Sequence, residues 1–157
     1  MMRHQIDQLD WEIINMLATN ARMPFLEIAR LCNVSGAAIH QRVEKLTRMG
    51  VLKGTHWEVD PEEVGYGTCA FVGLYLKDPT QHEKVVKQLQ MIPEVTECHY
   101  TTGQYDMLIK VYAKSNHHLL SIIHEQLQKL NIARSETLVS FKEAFNRQVT
   151  IPKESSE

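Results

Sequence analysis

Apolar positions recur at helical spacing three times near the start of the chain. Leu9, Ile13, Ile14 and Leu17 share one face of a first helix, which Asp7 can cap and which ends near Asn20. Asp10 falls in its first turn, where an acid suits the helix dipole. Pro24 opens a second helix at a position where its missing N–H costs nothing, and Phe25, Ile28, Ala29 and Leu31 carry it to Cys32. Asn33 tolerates the left-handed backbone that a tight turn between helices needs. Ser35 is a good N-cap for a third helix over 36–49, with Ile39, Val43 and Leu46 on its buried side and Gly50 at its end. A short helix, a tight turn and a longer helix make a helix-turn-helix. Small Ala29 would let the two helices cross closely near Ile39. Val51–Gly54 and Thr55–Val59 read as two short strands that form a wing.

From about residue 69 the period changes from helical to alternating or continuous. Cys69–Leu76 is an almost unbroken apolar run, the pattern of a central strand. Asp78-Pro79-Thr80 breaks it and opens a helix with Val85, Val86, Leu89 and Ile92 on one side, stopped by Pro93. Val95–Thr102 reads as a strand, Gly103-Gln104 as a turn, and Tyr105–Ala113 as a strand with Met107, Ile109 and Val111 on one face. Ser115 or Asn116 caps a helix bearing Leu119, Leu120, Ile123, Leu127 and Leu130. Arg134–Phe141 is a last strand. The order β-α-β-β-α-β is that of a ferredoxin-like fold. The chain is therefore predicted to be α+β: a winged helix-turn-helix over 1–60, a linker over 61–68, a ferredoxin-like domain over 69–152 and a tail over 153–157.

Two helices cover one face of such a sheet. The other face is predicted to carry Tyr100, Thr102, Leu108, Tyr112 and Leu138. An apolar, aromatic face of that size is seldom left in water. A second copy packed face to face would cover it, which predicts a homodimer. Paired reading heads would then match a two-fold DNA site.

Composition changes this picture little. The longest apolar run is too short to span a membrane, and the polar first ten residues do not resemble a secretory signal. Cys32, Cys69 and Cys98 fit neither a disulfide framework nor a zinc site, so they read as reduced thiols of a cytoplasmic protein. The formal net charge of −2 argues against a nucleic-acid binder until its distribution is read. Residues 36–53 hold four basic side chains (Arg42, Lys45, Arg48, Lys53) against one acid, Glu44. A local positive face of this kind suits phosphates. On this reading the third helix enters the major groove of double-stranded DNA. Ser35, Ala37, Ala38, His40 and Gln41 lie near its start, and Arg42, Lys45 and Arg48 further along. Gln41 can pair with adenine, and the cations can reach phosphates or guanine. A plain three-helix unit with a solvated charged face, or a module that binds protein instead of DNA, has the same pattern.

No phosphate-binding glycine loop or nucleophile elbow is present. The eight histidines show no ligand spacing, and Cys98 and His99, adjacent on a strand, face opposite sides. Neither an enzyme nor a metal or other cofactor is expected.

The chain resembles the Lrp/AsnC (feast/famine) family of transcription regulators over about residues 6–152. The stretches that carry the likeness are LDWEIINMLATNAR (Leu9–Arg22), EIARLCNVS (Glu27–Ser35), RVEKLTRMGVLKG (Arg42–Gly54), DPEEVGY (Asp60–Tyr66), TTGQYDMLIKV (Thr101–Val111) and SETLVSF (Ser135–Phe141). AIHQRVEKL and HYTTG look closer to the AsnC branch. The resemblance implies a homodimer that assembles into larger rings such as octamers of four dimers, and an amino acid effector bound where dimers meet. It also implies that the loop Thr101-Thr102-Gly103-Gln104-Tyr105-Asp106 helps to bind that effector. The chemistry is reasonable: backbone N–H groups around Gly103 can hold a carboxylate, and Asp106 can pair with an ammonium. Thr101, Thr102, Ser135 and Thr137 would supply hydroxyls. Gln104 and Thr101 suit a polar side chain such as that of asparagine, with leucine or lysine the other options. The same residues also read as a tight hairpin turn in which Asp106 bonds its own backbone.

Overall fold

The computed structural model describes residues 6–149, so residues 1–5, residues 150–152 of the second predicted domain and the predicted tail lie outside it. The described chain divides into two compact units. One runs to Trp57 and includes the described residues from Arg147; the other is Glu58–Asn146.

The first unit is built on α1 (Gln8–Thr19), α2 (Phe25–Leu31) and α3 (Gly36–Arg48). Asp7 caps α1 by accepting from the Asp10 N–H, and the Asp10 carboxylate in turn accepts from the Asp7 N–H. Pro24 stands just outside α2 as its N-cap, with no side-chain bond to the helix. Asn33 takes the left-handed backbone (φ 56°) between α2 and α3, and the Ser35 hydroxyl accepts from the Ala38 N–H at 3.2 Å. Ile13, Ile28, Ile39 and Leu46 are wholly buried where the helices meet, with Ile14 and Ala29 beside them. Leu31, predicted to be part of the core, is exposed.

The two short strands expected over 51–59 are unpaired. Val51 and Leu52 both donate their N–H to Leu46 O and fold back on the end of α3. Residues 53–60 carry no strand. An isolated two-stranded ribbon is marginal in water, and Val51 and Leu52 instead pack against the core of this unit. Trp57, instead of joining a hairpin, stacks under the Arg22 guanidinium at 3.8 Å.

The second unit places α4 (His82–Leu89) and α5 (Asn116–Ser121) against a four-stranded sheet of β1 (Thr68–Leu76), β2 (Val95–Tyr100), β3 (Met107–Ala113) and β4 (Ile132–Ser140). The strand order β2-β3-β1-β4 is antiparallel throughout, the ferredoxin-like arrangement that the alternation of elements predicts. Ala70, Val72 and Leu74 of β1 and Met107, Ile109 and Val111 of β3 point to the helices and are wholly buried. Val85, Leu89, Ile92, Leu119 and Leu127 cover them. The second helix departs from regular geometry after Ser121, where Leu127 donates to Ile122 O across a π turn. Ile122 is buried there, while Leu120, expected in the core, is exposed.

The register fixes the other face. Cys69, Phe71, Gly73 and Tyr75 pair with Ser140, Leu138, Glu136 and Arg134 on β4. Leu108, Lys110 and Tyr112 of β3 share that side, which no helix covers. Leu108, Tyr112 and Leu138 therefore lie as predicted. Tyr100 does not: it pairs with Met107, so it belongs to the helix side, where its ring meets His82 edge-on at 5.3 Å. Thr102 lies beyond the end of β2, in the loop.

Asp10 is wholly buried and joins α1 to α3. Its two carboxylate oxygens accept from Arg42 Nη1 and Lys45 Nζ, each at 3.0 Å. Asp10→Asn keeps the shape and removes the charge. The partners are partly exposed and can turn to water, which holds the expected loss to about 1–3 kcal/mol. Both tryptophans, Trp11 and Trp57, sit in the first unit, so urea denaturation followed by tryptophan fluorescence reads that loss. An unchanged midpoint would show that the contact is dispensable.

Candidate functional site

Two regions collect the residues that sequence reasoning singled out. The first is the outer face of α3. Ser35 caps its start; Ala37, His40, Gln41, Glu44 and Arg48 are exposed along it, and Ala38 is half-buried. The small side chains at the tip let the backbone come close to another surface. The His40 ring rests edge-on against Phe25 at 4.7 Å, which steadies its position. Arg48 is exposed and reaches Glu44 only loosely, at 3.8 Å.

Arg42 and Lys45, expected on this outer face, are turned toward α1. Arg42 bonds both Asp7 and Asp10, and Lys45 bonds Asp10. Arg42 holds the Asp7 carboxyl below its ordinary value, and Asp7 holds the guanidinium above its own. Two of the four cations counted in the sequence are thus matched by acids of another helix. Arg48 and Lys53 remain as the exposed cations of that segment.

The second region is the loop between β2 and β3. Gly103 takes a positive φ of 104° at its apex, which only glycine adopts without strain. The loop is tied down by its own groups: the Thr101 hydroxyl donates to Tyr105 O at 2.7 Å, and the Thr101 N–H donates to Asp106 O at 3.2 Å. Asp106 donates its N–H to Leu74 O at 3.0 Å, and its Oδ2 accepts the Leu76 N–H at 2.7 Å. One carboxylate oxygen of Asp106 therefore fastens the loop to β1. Thr102, Gly103 and Gln104 are exposed. Ser135 and Thr137, expected to offer hydroxyls beside the loop, pair with Leu74 and Val72 and so lie on the helix side of the sheet. Pairing is regular from Cys69/Ser140 to Tyr75/Arg134, so Ser135 and Thr137 alternate with Glu136 and Leu138 of the uncovered face.

The residues that do join the loop come from the uncovered face. The Tyr105 ring lies over Gly73, so close that a Cβ there would sit 2.4 Å from it. The Tyr105 hydroxyl donates to Glu136 Oε2 at 2.9 Å, and the Tyr75 hydroxyl donates to Glu136 Oε1 at 3.1 Å. Arg134 stacks on Tyr75 at 3.9 Å and reaches Glu136 at 3.4 Å. The Glu136 carboxylate holds the Tyr105 phenol above its ordinary value. Sequence reasoning missed this cluster. Its one signal was Gly73, a glycine inside an apolar strand, which often marks a close approach.

The same face carries a buried ammonium. Lys110 bonds Glu143 at 3.3 Å and lies 3.5 Å from Glu97, between the rings of Phe71 and Tyr112. Burial works against its charge, but Tyr112 and Glu143 outweigh that effect and its pKa is raised. Among the described residues no group of histidines, cysteines and acids is arranged to hold a metal, and no helix is long and apolar enough to cross a membrane.

A helix-turn-helix followed by an α+β domain of this topology is the architecture of a transcriptional regulator, and comparison with known proteins agrees. Residues 6–47 match the AsnC-type helix-turn-helix domain, and residues 69–150 match the Lrp/AsnC ligand binding domain. The chain belongs to the Lrp/AsnC family. It is 38% identical to Regulatory protein AsnC of Haemophilus influenzae over 93% of this chain and 98% of that one. It is 34% identical to the Escherichia coli protein of the same name, over 95% and 99%. The E. coli AsnC structure superposes with a TM-score of 0.85, covering 92% of this chain and 97% of that one. A transcriptional regulator of Neisseria meningitidis, solved in complex with L-Met, shares the fold at 21% identity and a TM-score of 0.82, over 94% and 97%.

Gly73→Ala must push the Tyr105 ring off its seat and away from Glu136. The expected cost is about 1–3 kcal/mol. Thermal denaturation should show that Tyr105→Ala removes most of this penalty when the two are combined. A Gly73→Ala protein as stable as the parent would mean that the ring is not held there.

Proposed function

We propose that the chain is a cytoplasmic, sequence-specific regulator that binds double-stranded DNA as a homodimer and answers to an amino acid. The observation that carries the DNA reading is the outer face of α3. It presents Ala37, His40 and Gln41 from a short-side-chain tip, with Ser35 and Ala38 at the helix start. Gln41 is the residue suited to adenine, and Arg48 is suited to a phosphate or to guanine. Arg42 and Lys45 act from behind, by holding α3 on α1.

The dimer reading rests on the uncovered sheet face. Phe71, Leu108, Tyr112 and Leu138 lie on it, and Leu138 is 56% exposed. A second copy would bury them, and four such dimers would complete an octamer. The effector reading rests on the loop 101–106. Gly103 and its neighbours expose backbone N–H groups suited to a carboxylate. Asp106 keeps its Oδ1 for an ammonium, while Oδ2 serves β1. Thr102 and Gln104 stand exposed to meet a polar side chain, so an asparagine-like amino acid is favoured. Glu136, Tyr75 and Tyr105 replace Ser135 and Thr137 as the groups linked to the loop.

Two experiments test this. On DNA from upstream of its own gene, Gln41→Ala should lose about 1–3 kcal/mol of discrimination at one base pair. Arg48→Ala should weaken all sequences alike and reduce the salt slope by about 1. Equal binding of random and upstream DNA by the parent protein would overturn the DNA reading.

A thermal-shift screen over the standard amino acids tests the effector. The one that binds, at about 100 times its dissociation constant, should add roughly 2.7 kcal/mol of stability. Gly103→Val should abolish that shift. A leucine or lysine response would correct the ligand; no response to any amino acid would overturn the assignment.

A further inference from the structure

On the second unit, away from the effector loop's apex, a polar cleft of about 390 Å³ opens between the end of β1, α4 and the segment before β4. That volume lies within the range of small-molecule sites. Lys77, Lys84 and Lys129 line it, and no aspartate or glutamate does. Among the described residues no carboxylate comes within ion-pair distance of these three ammoniums. The nearby acid Asp78 is already occupied by Thr80 and by the Gln81 carboxamide, which donates to it at 3.0 Å.

The rest of the lining is carboxamide. Asn131 donates to Gln81 at 3.4 Å, and the Gln128 carboxamide bonds the His124 ring at 2.8 Å. Gln88 keeps its side-chain oxygen buried without a hydrogen-bond donor from the described protein groups. A buried acceptor of this kind calls for an O–H or N–H from outside. No aromatic ring lines the cleft, so it has no platform on which a nucleobase could stack.

From this geometry we infer that the cleft is a second ligand site, for a small polyhydroxylated anion bearing two phosphate groups. Each phosphate carries roughly −1.5 to −2 charge at neutral pH, so two of them match three ammoniums. The carboxamides receive the hydroxyls, and Gln88 takes one as donor.

The test is calorimetry on the full chain at fixed ionic strength with two probes, inorganic pyrophosphate and fructose 1,6-bisphosphate. Both should bind saturably, one per chain, with the sugar bisphosphate the tighter. Lys84→Gln and Lys129→Gln, both at exposed positions, should each weaken binding roughly tenfold. Lys87→Gln, outside the cleft, should leave it unchanged. Gln88→Leu should erase the advantage of the sugar bisphosphate over pyrophosphate. Gly103→Val should bind both probes normally, which separates this site from the effector loop. Heat without saturation, or equal affinity in the Lys84/Lys129 double variant, would overturn the inference. So would a double variant that loses DNA affinity while the parent binds neither probe, since the lysines would then serve the duplex.

Discussion

The buried Asp10 carboxylate decides which face of α3 meets the outside. A helix with cations at Arg42, Lys45 and Arg48 could present any of them outward. Asp10, wholly buried on α1, draws Arg42 and Lys45 to its own side, and Asp7 adds a second acceptor for Arg42. Removing a carboxylate from water is costly unless it is paired and hydrogen-bonded. Two charge-assisted bonds and the Asp7 N–H meet that need. With two cations committed to α1, the outer face is left to small and amide side chains at the tip and to Arg48 beyond. The outward surface of α3 thus follows from its buried Ile39 and Leu46 together with this contact.

The sheet of the second unit poses the reverse problem. Its inner face is apolar and covered. Its outer face mixes Phe71, Leu108, Tyr112 and Leu138 with Lys110, Glu136 and Arg134. These charges are already partnered within the chain: Lys110 by Glu97 and Glu143, Glu136 by two tyrosines and Arg134. Glu143 comes from the segment that follows β4, so the chain returns to screen Lys110. A partner sheet meeting this face, on the dimer reading, would cover charges whose desolvation is largely offset beforehand. The raised pKa of Lys110 expresses the same point, since its carboxylate and phenol neighbours favour the charged form despite burial.

Much of this was legible in the sequence where the signal is local. Helical and strand periods located every helix of the first unit and all four strands, and the capping roles of Asp7 and Ser35 and the left-handed Asn33 follow from short-range chemistry. What failed was non-local. Asp10 lies three and four residues before Ile13 and Ile14, hence on the buried stripe of α1, a clue that its acidic character outweighed. The cations of 36–53 looked unmatched because their acids lie some thirty residues away, on another helix. The face of Tyr100 depends on how β2 pairs with β3, which a period of two leaves open by one residue; Ser135 and Thr137 alternate with Leu138, so their place on the helix side was legible but not drawn. The wing needed a packing surface that its own residues do not supply.

Tyr105 ties the two regions of the second unit into one mechanical element. Its backbone belongs to the loop, accepting the Thr101 hydroxyl, while its ring lies on the uncovered face over Gly73 and bonds Glu136. The loop is held at Asp106 by two bonds to β1, so it is a preformed turn with little freedom to close around a ligand. A preformed site loses little entropy on binding, but it also cannot signal by folding. On the proposed reading, an amino acid seated on Gly103 must act through what the loop already touches. An ammonium on Asp106 would bear on the end of β1 that its Oδ2 holds, and displacement of the Tyr105 ring would take one partner from Glu136 while Tyr75 and Arg134 keep theirs. The second change falls on the uncovered face, which a second copy would cover on the dimer reading. A ligand that binds one arrangement of that surface better than another shifts the population by that difference alone. On that reading the response to effector is expected in the assembly of the chains.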